Sequence, residues 1–80
     1  MERILVVDDE KSMNEVLKIL LESEGFDVTS AYSGTQAISL LKGNHFDLVI
    51  TDIKMPGADG FDVLRTAKEV DPDTIVIMIT

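Results

Sequence analysis

Two apolar runs end in acid: Ile4-Leu5-Val6-Val7 leads straight into Asp8-Asp9-Glu10, and Leu48-Val49-Ile50-Thr51 leads into Asp52. Carboxylates held close together repel, so either their pKa values rise or a hard cation neutralises them. Magnesium suits such a set, because it takes a few carboxylates, a carbonyl oxygen and retained waters rather than a full protein cage. A dication held by Asp9 and Asp52 would draw in a phosphoryl group and spread its charge, which is the main demand of phosphoryl transfer. Asp52 would then stand as a nucleophile able to form an acyl phosphate. The plainer alternative is structural: an acidic triplet ahead of a helix also caps it or complements its positive end, and an Asp after a strand is an ordinary turn residue. Ser12-Met13-Asn14-Glu15 offers a capping box of its own, which weakens the case that the aspartates are needed as caps.

The choice turns on the elements that position these residues. Ile4 to Val7 is a short continuous apolar run, as in a strand covered on both faces. Met13, Val16, Leu17 and Leu20 then follow helical spacing, Ile19 and Leu21 widen the stripe, and Gly25 stands where a helix ends in a left-handed turn. Phe26 to Tyr32 alternates, with Asp27 and Thr29 among apolar neighbours, and reads as an edge strand. Ser33-Gly34-Thr35-Gln36 has capping-box spacing and opens a helix that ends at Gly43. Phe46 to Thr51 is a second buried strand. Met55-Pro56-Gly57-Ala58-Asp59-Gly60 is dense in turn formers and reads as a loop. Phe61, Leu64, Ala67 and Val70 restore a helical period, Asp71-Pro72-Asp73 stops it, and Ile75 to Ile79 is the last strand.

This alternation, β-α-β-α-β-α-β with short connections, predicts an α/β fold: an open parallel sheet with helices on both faces and right-handed crossovers. With the polar second strand at an edge and the first and third central, the strand order becomes 2-1-3-4, the flavodoxin-like arrangement. Winding reverses between strands one and three, and ligands bind in the crevice at the carboxyl ends of such strands. Asp8, Asp9 and Asp52 fall there.

Val6-Val7-Asp8-Asp9-Glu10, Asp47 to Asp52, Met55 to Phe61 and Ile77-Met78-Ile79-Thr80 resemble, in type, order and spacing, the receiver domain of bacterial two-component response regulators. A member of that family is itself a standard instance of the switch-point rule, so the expected strand order is not independent of it. The resemblance implies that Asp52 is the phosphoacceptor, Asp9 a direct magnesium ligand and Asp8 a ligand acting through water. It further implies that the Lys54 backbone carbonyl completes the protein's share of the coordination sphere and that the Thr80 hydroxyl senses the phosphoryl group. The implied role is a regulatory domain rather than an enzyme. It would take a phosphoryl group from a sensor histidine kinase in the cytoplasm and act on a downstream output, transcription control, with details similar to receivers of enhancer-binding activators.

Composition sets outer bounds. Eighty residues with fifteen acidic and seven basic side chains carry a formal charge of −8, which disfavours direct contact with nucleic acid or anionic lipid. No apolar run approaches the ~20 residues of a membrane span, and the absence of cysteine excludes disulfides and thiolate metal sites. The glycines form neither a dinucleotide motif nor a P-loop, no Ser-His-Asp arrangement is visible, and His45 reads as a solvated loop residue.

Measured against the family pattern, the sequence is expected to be a partial receiver: a fifth strand, its lysine and two last helices would lie beyond Thr80. Strand four would then be an apolar edge, and α-helical residues 13 to 21 would carry a wider stripe than one neighbour covers. Two outcomes follow: a homodimer through the fourth strand about a two-fold axis, or a partly molten chain. The fragment is expected to switch poorly. Two rival functions stand beside the signalling one: a non-phosphorylated dimerisation or interaction module, and a small magnesium-dependent phosphatase, which would need a further acid/base residue near Asp52.

Overall fold

The computed structural model describes residues 2–79. Its elements run β1 (Arg3–Val7), α1 (Lys11–Ser23), β2 (Asp27–Ala31), α2 (Gly34–Gly43), β3 (Leu48–Asp52), α3 (Gly60–Val70) and β4 (Ile75–Ile79). The four strands form one parallel sheet in the order β2-β1-β3-β4, as the sequence predicts.

Strand alternation divides the core in two. Leu5 and Val7 of β1 and Val49 of β3 point to the face covered by α2 and α3, where Ala37, Leu41, Val63 and Ala67 close the larger cluster with Phe46 and Met55. Ile4 and Val6 point the other way and pack with Val28, Leu17, Leu21 and Phe26 beneath α1. Because both faces of β1 are covered, its apolar run is continuous rather than alternating.

Register places Ile75, Ile77 and Ile79 beside Leu48, Ile50 and Asp52, on the α1 side of the sheet. No element covers them among the described residues: they are 61, 46 and 37 % exposed, while Val76 packs into the opposite cluster. Met13, Val16, Ile19 and Leu20 of α1 are also exposed. The stripe wider than its neighbour and the apolar edge strand are therefore both present.

Helix ends follow local chemistry, with two departures. Ser33 accepts from the Gln36 amide, but the Gln36 side chain returns its bond to the Tyr32 amide rather than to the cap. The Ser12 capping box is not used: α1 starts at Lys11 after Glu10, which makes no side-chain cap bond. At the other end of that helix Gly25 adopts φ +91°, the left-handed turn its type suits.

The base of the sheet, at the amino ends of the strands, is tied by side chains. Asp47 Oδ2 accepts from the Arg3 amide at 2.8 Å and the Thr74 hydroxyl donates to the Phe46 carbonyl at 2.7 Å. The Lys68 ammonium donates to the carbonyls of Pro72 and Thr74. His45, expected to be merely solvated, lies between Asp47 Oδ1 at 3.0 Å and Asp71 Oδ2 at 3.3 Å. Hydrogen bonds from the Arg3 amide, then from His45, hold the Asp47 carboxyl below its ordinary pKa.

Candidate metal and phosphoryl site

The end of β1 and the end of β3 are adjacent because the two strands pair directly, Val7 beside Thr51. Asp8 and Asp9 thus leave the sheet next to Asp52. Each of the three offers a carboxylate oxygen within 4.8 Å of the others. Asp8 is buried, Asp52 half-buried and Asp9 exposed, which grades the cluster from the sheet outward. Together with Glu10, Met13 and Ile79 they line a cavity of about 250 Å³.

Two neighbouring devices hold these acids in place. Asp8 Oδ1 accepts from the Glu10 amide at 2.9 Å, so one oxygen fixes the turn and the other remains for a ligand. Asp8 therefore braces the turn before α1 rather than capping the helix itself. On the β3 side, α3 comes down onto the strand end: the Gly60 amide donates to the Ile53 carbonyl at 2.8 Å. Asp59 caps α3 by accepting from the Phe61 and Asp62 amides, both at 3.0 Å, and Asp62 returns a bond to the Asp59 amide. That amide, followed by the Arg65 guanidinium, lowers the Asp62 pKa.

The donor set fits a hard dication. All three side chains are carboxylates, and none of them forms an ion pair with a Lys, Arg or His among the described residues. Three convergent anions with no protein counter-charge leave a cation as the natural neutraliser. Of the remaining residues singled out in the sequence, Lys54 is exposed, two positions past the end of β3. It lines a separate cavity of about 520 Å³ with Ile53, Met55, Pro56 and Asp59, which contains none of the three carboxylates. Thr80 lies outside the described residues.

A four-stranded parallel sheet of this order, with three aspartates at its switch point, is matched by known proteins. The sequence pattern of the response regulator receiver domain matches residues 4–80. This chain belongs to that family. The DNA-binding response regulator MtrA of Mycobacterium tuberculosis is 42% identical over 79 residues, covering 99% of this chain and 34% of the relative. Among solved structures, a response regulator receiver domain protein from Clostridium thermocellum is 40% identical with a TM-score of 0.90, covering 98% of this chain and 64% of that one. The response regulator TrrA from Thermotoga maritima, solved in complex with Mg²⁺ and BeF, is also 40% identical with a TM-score of 0.90, covering 98% and 68%. The chain thus spans about a third of the curated regulators it matches and about two thirds of the solved receivers. A receiver domain is regulatory rather than catalytic in role. No helix among the described residues is long and apolar enough to cross a membrane.

Asn14 escaped the reading of the sequence as a site residue. It is fully buried on α1 and donates to two strand-end carbonyls, of which Ala31 is seventeen positions away. The signal was a polar side chain in the stripe shared with Leu17 and Leu21; its partners are not local, so spacing alone did not reveal them.

Proposed function

We propose that this receiver domain accepts a phosphoryl group on Asp52 from a sensor histidine kinase in a Mg²⁺-dependent reaction, in the cytoplasm, and passes the signal to an output that controls transcription. The observation that carries the reading is the convergence of Asp8, Asp9 and Asp52, none of which forms an ion pair with a Lys, Arg or His among the described residues. Asp9 and Asp52 would hold the metal directly, Asp8 through water, with the Lys54 carbonyl as the fourth protein donor. The bound ion supplies charge neutralisation for the incoming phosphoryl oxygens. An Asp52 carboxylate oxygen forms the new P–O bond as the P–N bond to the donor imidazole breaks, and the electron pair stays on that nitrogen. Thr80 would supply the hydroxyl that senses the adduct. A small phosphatase would need a separate acid/base residue near Asp52, and Glu10 is the carboxylate lining the cavity that the acceptor reading leaves without a part.

Treatment with a small phosphodonor and Mg²⁺, followed by intact-mass measurement, tests this. One phosphoryl adduct per chain, abolished in Asp52→Asn and by chelation, is the expected result. Donor turnover without adduct would support a phosphatase, and no reaction even in a chain extended to the full length of the solved relatives would leave a non-phosphorylated interaction module.

As a partner we propose a second copy of this chain, paired through β4. Ile75 to Ile79 form an uncharged edge strand whose outer face is bare. Met13, Val16, Ile19 and Leu20 of α1 are exposed as well, and Met13 lines one cavity with Ile79.

A further inference from the structure

The sheet-facing stripe of α1 is Asn14, Leu17 and Leu21. The two leucines pack on the Ile4, Val6 and Val28 cluster, whereas Asn14, with no exposed surface, places a carboxamide at the same level of the core. Its Oδ1 is buried with no hydrogen-bond partner. An orphaned buried carbonyl destabilises a fold, and an apolar side chain of similar size would avoid it. A local rule broken in the core points to a role elsewhere.

That role is in the Nδ2 group. It donates to the Asp8 carbonyl at 3.1 Å and to the Ala31 carbonyl at 2.9 Å. The Ala31 carbonyl also accepts from the Asp8 amide at 3.1 Å, and Asp8 Oδ1 accepts from the Glu10 amide at 2.9 Å. Asp8 is therefore pinned at its amide, its carbonyl and one carboxylate oxygen, and two of those links meet at Asn14 or at its second acceptor. The β1 ladder ends at Val7, so past that point these bonds set where Asp8 and Asp9 project.

We infer that Asn14 is a positioning residue for the cation site: its carboxamide fixes the Asp8-Asp9 turn so that both carboxylates converge with Asp52. The inference rests on the reading of those aspartates as a dication site. It assigns Asn14 no contact with metal or phosphoryl group.

The test is Asn14→Leu in the full 80-residue chain, with Mg²⁺ affinity read from backbone amide shifts and stability from thermal unfolding. Loss of a residue that orients metal ligands lowers affinity by about 10- to 100-fold. The expected result is such a loss, with faster Glu10 amide exchange without metal. Unchanged Mg²⁺ affinity in the folded variant overturns the inference alone. A lower melting temperature with Mg²⁺ affinity intact assigns Asn14 to the core only and also overturns it. A second measurement needs no substitution: in the unsubstituted chain the Asn14 side-chain amide signals should shift with Mg²⁺ at the same midpoint as Asp8 and Asp9. Asn14 signals that stay fixed while Asp8 and Asp9 shift overturn the inference, whereas no shift at Asp8, Asp9 or Asp52 overturns the site reading and the inference together.

Discussion

Gly60→Ala offers a sharp check on how the site is built, because the expected sign is opposite to the usual one. Replacing Gly by Ala inside a helix normally stabilises by up to about 1 kcal/mol. At Gly60 the added Cβ would sit 2.8 Å from the Ile53 Cα, and the Asp52 carbonyl oxygen would be nearer still. Real Cβ atoms essentially never come within 3.0 Å, and the atoms in the way are backbone, so α3 and the end of β3 must move apart. Overpacking of this kind costs about 1–3 kcal/mol. Setting about 2 kcal/mol of strain against at most about 1 kcal/mol of helix gain leaves a net loss of about 1–2 kcal/mol. For a domain of this length that lowers the melting temperature by about 5–15 °C. Gly43→Ala is the internal control, since a Cβ there meets nothing within 4 Å. Calorimetry on both variants, with amide shifts at Asp52 and Ile53, gives the answer. Gly60→Ala melting at or above the parent temperature, with Asp52 unshifted, would refute the close approach of α3 to the strand end.

Two further outcomes follow from the base and the edge of the sheet. The Asp47 and Asp62 carboxyls are held below 3.8 in the fold, so their stabilising contribution is complete above that value and is lost as pH falls through the lowered values. The stability gap between the parent chain and Asp47→Asn should therefore be widest near neutrality and close in acid below about pH 4; a gap independent of pH in urea titrations would count against the His45-Asp47-Arg3 arrangement. At the edge, Ile77→Lys should convert a sedimenting dimer to monomer, as charge on an exposed strand blocks pairing; a parent chain that is a folded monomer at high concentration refutes the dimer, and one captured only by a separate strand-helix peptide assigns the edge to a different occupant.

The architecture was legible because strand and helix periods alternate cleanly: Ile4 to Val7 is buried on both faces, while Leu48 to Ile50, expected to be buried, is so only at Val49, Leu48 and Ile50 lying half-buried on the other face. Strand order followed from the wetter Asp27 and Thr29 strand, and the acidic cluster followed from strand order. What stayed hidden depended on groups far apart in sequence or on loop geometry. His45 meets Asp71 only after α3 has folded back across β3. Asp59 looked like one more turn residue in a Pro-Gly loop, yet its carboxylate starts α3, because the loop delivers it to the amides of Phe61 and Asp62. Conversely, the Ser12 box was legible and wrong, since the Asp8-Glu10 turn starts the helix one residue ahead of it.

The distribution of side-chain bonds along the strands makes the sheet unequal end to end. Its lower rim is riveted by Arg3, Asp47, Thr74 and Lys68, whereas its upper rim brings like charges together. The lower rim is held by bonds between complementary groups, whereas at the upper rim the bonds of Asp8 and Asn14 hold like charges close, so a cation arriving there would relieve a repulsion that the lower rim does not carry.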